Sequence, residues 1–178
     1  MKLTTKDLTQ ISLFAALTAI GAYVSVPIGH IPITLQSMFV LMSGVILGSK
    51  RGAISQIIYM TVGLIGLPVF AGGRGGIGTM MTPSFGFIFG FIAMAYIAGY
   101  LYERGVNVWI SSFVATVVLY LIGLPYMAFI LNNIMGNSFE LLKVLNIGLI
   151  PFIPGDSIKV IATGMSLNAL RKKIDLPI

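Results

Sequence analysis

Two ionisable residues, Asp156 and Lys159, stand three positions apart at the start of the last apolar stretch, just after Pro154 and Gly155. On a helix this spacing places both side chains on one face. A carboxylate beside an ammonium group offers a hydrogen-bond acceptor and a donor together, which an amide- or urea-like ligand requires. In a plainer alternative, Asp156 caps the helix, and Lys159 pairs with it or extends toward the membrane surface.

The composition indicates an integral membrane protein. The 178 residues are 57% hydrophobic and 9% charged, and the mean hydropathy is +0.98. Soluble domains are usually about 45–50% apolar and about 25% charged, so this chain has too little polar surface to be water-soluble. No cysteine is present, which excludes disulfides and Cys-ligated metals. We predict a single all-α membrane domain over residues 1–178, with no cofactor and no metal site.

Six apolar stretches are close to the roughly 20 residues that a helix needs to cross a bilayer. They cover residues 8–26, 33–48, 52–69, 85–102, 108–131 and 155–170. Residues 138–146, between the fifth and sixth stretches, are typical of a short amphipathic helix at the surface. The predicted fold therefore has six transmembrane helices, with a Gly-rich outer loop between the third and the fourth.

The distribution of basic residues predicts the orientation in the membrane. Six spans place both termini on one side, together with eight cations: Lys2, Lys6, Lys50, Arg51, Arg104, Arg171, Lys172 and Lys173. The other side holds Arg74, Lys143 and Lys159. Because cytoplasmic loops carry an excess of Lys and Arg, we expect a multi-pass cell-membrane protein with both termini cytoplasmic. Topology thus accounts for the net charge of +6 without nucleic acid.

The glycine-rich loop contains a formal match to a dinucleotide-binding motif at residues 73–78. That motif requires a strand before it and an acidic residue about 20 positions after it, and neither is expected here. The glycines instead indicate that residues 71–82 form either a lid over an outer cavity or a plain flexible connection. Arg74 in this loop has a fork of donors that suits a carboxylate, although it could equally contact a lipid phosphate.

Further polar and proline residues gather near the outer ends of the spans. Gln36 is the strongly polar residue of the second span, and Asn132 and Asn133 close the fifth on the same side. Irregular backbone within a membrane is tolerated where it lines a cavity, so the prolines near these ends favour an outer cavity. His30 lies in a proline-flanked connection and is interpreted as a loop residue. With no Ser-His-Asp set and no metal cluster, the sequence does not predict an enzyme.

Small residues recur at four-residue spacing, which allows helices to approach closely in lipid. Examples are Ala15 with Ala19 in the first span, and Gly44 with Gly48 in the second. Internal packing explains such pairs. For Ala15 and Ala19 the alternative is a docking face for another membrane subunit.

Three motifs, in this order and spacing, resemble the BioY family. These are the biotin-specific substrate-binding (S) components of energy-coupling factor transporters. The motifs are Pro32–Gln36, the glycine loop Gly72–Gly76 continuing to Pro83–Gly86, and Gly155–Lys159. Each motif is weak alone, but the combination is specific and the resemblance extends over essentially the whole chain.

The resemblance implies a six-helix subunit that captures biotin from outside the cell. It implies partners that supply energy, namely a transmembrane coupling protein and two ABC-type ATPases. Ala15 and Ala19 match the small residues that dock on the coupling protein, and Asp156 and Lys159 match the residues that contact the biotin head group. We add Gln36 and Arg74 as ligand-binding candidates. The alternatives are an S component for a different vitamin, or a stand-alone small-molecule facilitator.

Overall fold

Helices make up most of the chain. The computed structural model describes residues 3–27 and 31–171. Within these ranges the α-helices are α1 (Thr5–Tyr23), α2 (Gln36–Leu47), α3 (Ser49–Leu64), α4 (Phe85–Glu103), α5 (Val108–Phe129), α6 (Leu141–Gly148) and α7 (Ile153–Arg171). A short antiparallel hairpin, β1 (Ser25–Val26) with β2 (Ile33–Thr34), links α1 to α2. Shorter helical turns cover Ile77–Met81, Ile130–Ile134 and Ile150–Phe152. His30, Lys2, Lys172 and Lys173 lie outside the described residues.

The all-α fold is confirmed, and a helix lies in each of the six predicted spans. The surface helix expected over 138–146 is α6, which begins later, at Leu141. Asn132 explains the delay, because its side chain donates to the carbonyl of Phe139 at 3.0 Å and accepts from the Phe139 N–H at 2.8 Å. These two bonds occupy the backbone of Phe139, which stays outside the helix.

Length and hydropathy single out three helical stretches of the described chain as able to cross a membrane. They are Phe85–Glu103, Val108–Ile134 and Leu141–Leu167. Helix α2 is apolar but shorter, and α3 is also short and has Lys50 and Arg51 in its first turn. A short helix can still cross part of the bilayer when it is packed inside a bundle.

Glycine allows α2, α3 and α4 to pack at very close range. A Cβ atom on Gly44 would lie 2.2 Å from the carbonyl oxygen of Ala95, and one on Gly99 would lie 2.5 Å from the carbonyl oxygen of Gly44. A Cβ on Gly52 would lie 2.7 Å from the Gly44 Cα. The small residues on these helices therefore serve internal packing, which is the interpretation that the sequence favoured for them.

Ala15 and Ala19 lie against the core of the bundle rather than on its open surface. Ala15 is only 7% exposed, and Ala19 is half-buried against the same cluster. Their neighbours Ala16 and Ile20 are exposed, and so is Leu13 one turn earlier. The exposed side of α1 thus includes Leu13, Ala16 and Ile20, and the docking role expected of Ala15 and Ala19 stays a prediction.

Polar contacts close the end of the bundle at which the chain starts. The Glu103 carboxylate accepts from the backbone N–H of Ser49 at 2.8 Å and from its hydroxyl at 2.8 Å. It thereby caps the N-terminus of α3, where a negative charge is favourable. Arg51 forms an ion pair with Asp7 of α1. These contacts join α1, α3 and α4 at this end and leave the cavity at the other end.

We expect Gly44→Ala to destabilise the protein, because the new methyl group meets the backbone of Ala95. Overpacking of this kind costs about 1–3 kcal/mol in unfolding free energy. The matched control is Gly78→Ala, since no atom lies within 4 Å of a Cβ at Gly78. Thermal unfolding of both variants in detergent tests this expectation, and equal stability of the two would contradict it.

Candidate functional site

A cavity lies at the end of the bundle where α2 and α7 begin and the α3–α4 loop crosses. It has about 80 Å³ of space for the centres of water molecules, several times what a single water requires. Its apolar lining includes four phenylalanines and comes from the α1–α2 connection, the α3–α4 loop, α4, α5 and the turn before α7: Ile31, Pro32, Phe70, Ala71, Phe87, Ile88, Phe91, Leu119 and Phe152. Its polar lining comes mainly from α2, the loop and α7: Thr34, Gln36, Ser37, Arg74, Thr79, Thr82, Ser84, Asp156 and Lys159.

The ion pair between Asp156 and Lys159 forms the polar end of this cavity. The Lys159 Nζ lies 2.8 Å from the Asp156 Oδ1, and the side chain of Lys159 is only 9% exposed and that of Asp156 only 13%. The same Nζ donates to the Ser37 hydroxyl at 3.0 Å. Tyr120 of α5 donates its hydroxyl to the other carboxylate oxygen, Oδ2. Charges this deep need partners, and here both charged groups have them.

Asp156 does not cap α7. The helix begins at Ile153, so Asp156 lies within its first turn. Pro154 fits this start, because the first N–H groups of a helix have no partner within it and proline lacks an N–H. The hydrogen bonds found for the Asp156 carboxylate come from the side chains of Tyr120 and Lys159. Asp156 is therefore a buried ion-pair partner that also benefits from the positive end of the helix dipole.

Gln36 connects the cavity to the loop that covers it. Its Oε1 accepts from the Thr34 hydroxyl at 3.0 Å, and its Nε2 donates to the Tyr59 hydroxyl at 2.5 Å. Tyr59 in turn donates to the carbonyl oxygen of Val69 at 3.1 Å. A displacement of Gln36 therefore alters the hydrogen bonding of Tyr59, which holds the first part of the loop.

The loop between α3 and α4 is held by tyrosines from three helices. In addition to Tyr59, Tyr23 of α1 donates to the carbonyl of Pro68 at 2.5 Å, and Tyr126 of α5 donates to that of Met80 at 2.5 Å. Gly66, Gly72, Gly73 and Gly76 adopt positive φ, which glycine does at little cost. These turns fold the loop back over the cavity, so the glycines shape a wall rather than an extended connection.

Arg74 lies at the mouth of the cavity and, unlike Asp156 and Lys159, it is exposed. Its backbone forms a bridge with Phe70, in which the Phe70 N–H donates to the Arg74 carbonyl at 2.9 Å. Its side chain is exposed, and no acidic partner for it is found within residues 3–27 and 31–171. A guanidinium held at the rim in this way is available to a carboxylate.

All four ligand-binding candidates, Gln36, Arg74, Asp156 and Lys159, line this one cavity. Asn132 and Asn133 do not join them. Asn132 bonds to the backbone of Phe139, and Asn133 donates to the carbonyl of Phe129 at 3.2 Å. Both asparagines therefore satisfy local backbone groups at the end of α5.

Sequence reasoning missed two residues of the site, Ser37 and Tyr120. Ser37 follows Gln36 at the start of an apolar helix, and that polarity was a signal that could have been used. Tyr120 gives no such signal, because a tyrosine within an apolar span is normally a packing residue. Its contact with Asp156 joins positions 36 residues apart, which only the folded chain brings together.

Comparison with known proteins gives consistent matches over nearly the whole chain. The family model described as BioY family matches residues 1–175. A biotin transporter BioY of Rhizobium etli is 39% identical, with 92% of this chain and 91% of the relative covered. A probable biotin transporter BioY of Lysinibacillus sphaericus is 34% identical, over 94% of this chain and 88% of the relative.

A solved structure is also similar in fold and sequence. It is the crystal structure of the S-component for biotin from an ECF-type ABC transporter. The TM-score is 0.75 at 31% identity, and the match covers 97% of this chain and 96% of that chain. The family model, the relatives and the fold therefore agree over the same residues. This chain belongs to the BioY family.

Proposed function

We propose that this chain is the biotin-binding S component of an ECF-type ABC transporter and takes part in biotin uptake. The observation that carries the proposal is the cavity itself. A buried donor–acceptor pair, aromatic walls and a cation at the mouth occur together in one space. Biotin has a matching set of groups: a ureido ring, an apolar ring and chain, and a carboxylate. The chain is a transport component and not an enzyme.

In this proposal the ureido ring binds at the α7 end of the cavity. Its N–H groups donate to the Asp156 carboxylate, and its carbonyl accepts from Lys159 and from the Gln36 amide. The apolar ring and chain pack against the aromatic walls, and the carboxylate reaches Arg74. The α3–α4 loop acts as the lid that admits the ligand and then covers it.

We further propose that residues 1–178 form one domain of six transmembrane helices, with the cavity facing outward and both termini in the cytoplasm. The described cations support this orientation, because Lys50, Arg51 and Arg104 all lie at the end away from the cavity. Uptake then depends on an energising module made of a transmembrane coupling protein and two ABC-type ATPases.

The direct experiment is mass spectrometry of the small molecules released when the purified protein is denatured. Biotin in the released fraction supports the proposal. A different vitamin would overturn the choice of ligand and leave the transporter class intact. Uptake of biotin by cells that contain this chain without the energising module would favour a stand-alone facilitator.

We expect Asp156→Asn to weaken biotin binding by at least about tenfold, equivalent to about 1.4 kcal/mol. The substitution removes an acceptor for the ureido N–H groups and leaves the Lys159 ammonium without its counter-charge. Isothermal titration measures the effect. Ser157→Ala is the matched control, because the adjacent Ser157 is exposed and its hydroxyl bonds only to the Ile153 carbonyl. Equal affinity of Asp156→Asn and wild type would refute the role of Asp156.

Arg74→Gln tests the carboxylate end of the site. We expect it to weaken binding of biotin by about tenfold, the size of a charge-assisted hydrogen bond, and to leave binding of biotin methyl ester unchanged. Lys143→Gln is the control, since Lys143 lies at the same end of the bundle but stacks on Phe139. An equal loss for the acid and the ester would show that Arg74 supports the loop instead.

We propose that the coupling protein docks on the exposed side of α1, which the burial of its residues identifies. Ala19 lies at the edge of the exposed face, with Ala16 and Ile20 beside it. We expect Ala16→Trp to keep biotin binding and to abolish uptake in cells that also contain the energising module. The control is Leu121→Trp on the exposed side of α5, which should keep both. Normal uptake by Ala16→Trp would place the coupling protein elsewhere.

A further inference from the structure

The ion pair in the cavity is the middle of a longer chain of hydrogen bonds. The Tyr120 hydroxyl donates to the Asp156 Oδ2, Lys159 donates to the Asp156 Oδ1 at 2.8 Å, and Lys159 also donates to the Ser37 hydroxyl at 3.0 Å. The outer members come from α5 and α2, and both inner members come from α7. A residue on each side of α7 thus holds one member of the pair.

The number of hydrogen bonds that each group can form limits what remains for a ligand. An ammonium has three N–H donors. Two of those of Lys159 are taken by Asp156 and Ser37, which leaves one for a ligand carbonyl. The Asp156 carboxylate has about four acceptor positions, of which Tyr120 and Lys159 occupy two. Two positions then remain for ligand N–H groups.

Tyr120 is itself held in place and does not line the cavity. Its ring packs edge-on against Phe87, with 6.0 Å between the ring centroids and an angle of 84°. Phe87 faces the cavity, whereas Tyr120 reaches the site through the Asp156 carboxylate. Without that hydroxyl, the Asp156 carboxylate would be free to rotate. It could then accept the third N–H of the Lys159 ammonium, which would no longer be available to a ligand carbonyl.

We propose that Tyr120 is a positioning residue for ligand binding, which fixes the Asp156 carboxylate so that its free acceptor positions face the cavity. Ser37 has the corresponding role for the Lys159 ammonium. This inference rests on the proposed function, because the ligand it concerns is the ureido ring of biotin. Tyr120 acts through Asp156 and makes no contact with the ligand.

The principal test is Tyr120→Phe, which removes the hydroxyl and keeps the ring on Phe87. We expect biotin affinity to fall by about tenfold, the effect of one hydrogen bond to a charged group. The loss should be equal for biotin and biotin methyl ester, because the change acts on the head group. Tyr96→Phe is the matched control, since Tyr96 lies on α4 and stacks on Tyr100.

A double-mutant cycle separates positioning from general packing. When Asp156 is already asparagine, Tyr120→Phe should cause little further loss of biotin affinity. Additive losses would mean that Tyr120 acts independently of Asp156, and an unchanged affinity of Tyr120→Phe alone would also overturn the inference. Ser37→Ala supplies a second variant. We expect it to lower biotin affinity by about tenfold as well, and to cause little further loss when Asp156 is already asparagine.

A measurement without ligand distinguishes failure of this inference from failure of the proposed function. The infrared carboxylate band of Asp156 is obtained as the difference between wild type and Asp156→Asn. We expect Tyr120→Phe to shift this band and Tyr96→Phe to leave it unchanged. If the band shifts but the protein does not bind biotin, the Tyr120–Asp156 contact is supported and only the choice of biotin as the ligand is refuted. An unshifted band would refute the positioning role itself.

Discussion

The ion pair between Asp156 and Lys159 constrains the whole cavity end of the bundle. A charge in apolar surroundings is costly, and removing one partner of a buried pair typically costs about 3–5 kcal/mol. The pair therefore needs its remaining hydrogen-bonding groups satisfied. Tyr120 and Ser37 supply two of these bonds, so α5, α7 and α2 must meet at this point. Apolar side chains of similar volume usually stabilise a buried site at least as well as an ion pair does. The presence of Asp156 and Lys159 is therefore better explained by ligand binding than by packing.

The approach of α2 to the site depends on packing at the other end of the bundle. Gly44 lets α2 lie directly against the backbone of α4, and Gly52 lets α3 follow it closely. Gln36 and Ser37 begin the same helix whose other end passes this contact. The position of the polar wall is therefore tied to helix packing that involves no polar side chain. The small residues that pack α2 against α4 thus help to fix the position of Gln36 and Ser37 in the cavity wall.

The loop over the cavity gains its shape from both glycines and tyrosines. Glycines provide turns with positive φ, and Tyr23, Tyr59 and Tyr126 fix three of the carbonyl oxygens. Tyr59 links this loop to Gln36 in the cavity wall. A ligand that binds Gln36 competes for its amide group and so acts on a side chain that holds the loop. Ligand binding and the position of the lid are physically connected through this hydrogen bond.

Much of the fold could be read from the sequence, because hydropathy and helix length are properties of consecutive residues. Those properties predicted a helix for each span and the loop before Phe85, while helix ends such as the start of α6 depended on side-chain contacts with Asn132. Asp156 and Lys159 could be recognised for the same local reason, since they lie one helical turn apart. Their pairing with Tyr120 and Ser37 could not be recognised. Tyr120 carries no signal of its own, and the polarity of Ser37 does not show that it meets Lys159, which is 122 positions away in the chain.

The burial of Ala15 is a second property that the sequence could not predict. Its small size and its spacing from Ala19 are visible in the sequence, but they are compatible with packing inside the bundle and with docking on another subunit. Only the folded structure decides which side of α1 faces the core, because that depends on how α2 and α3 pack around it. The sequence thus determines the helices and the chemical groups available, and tertiary packing determines which of those groups meet.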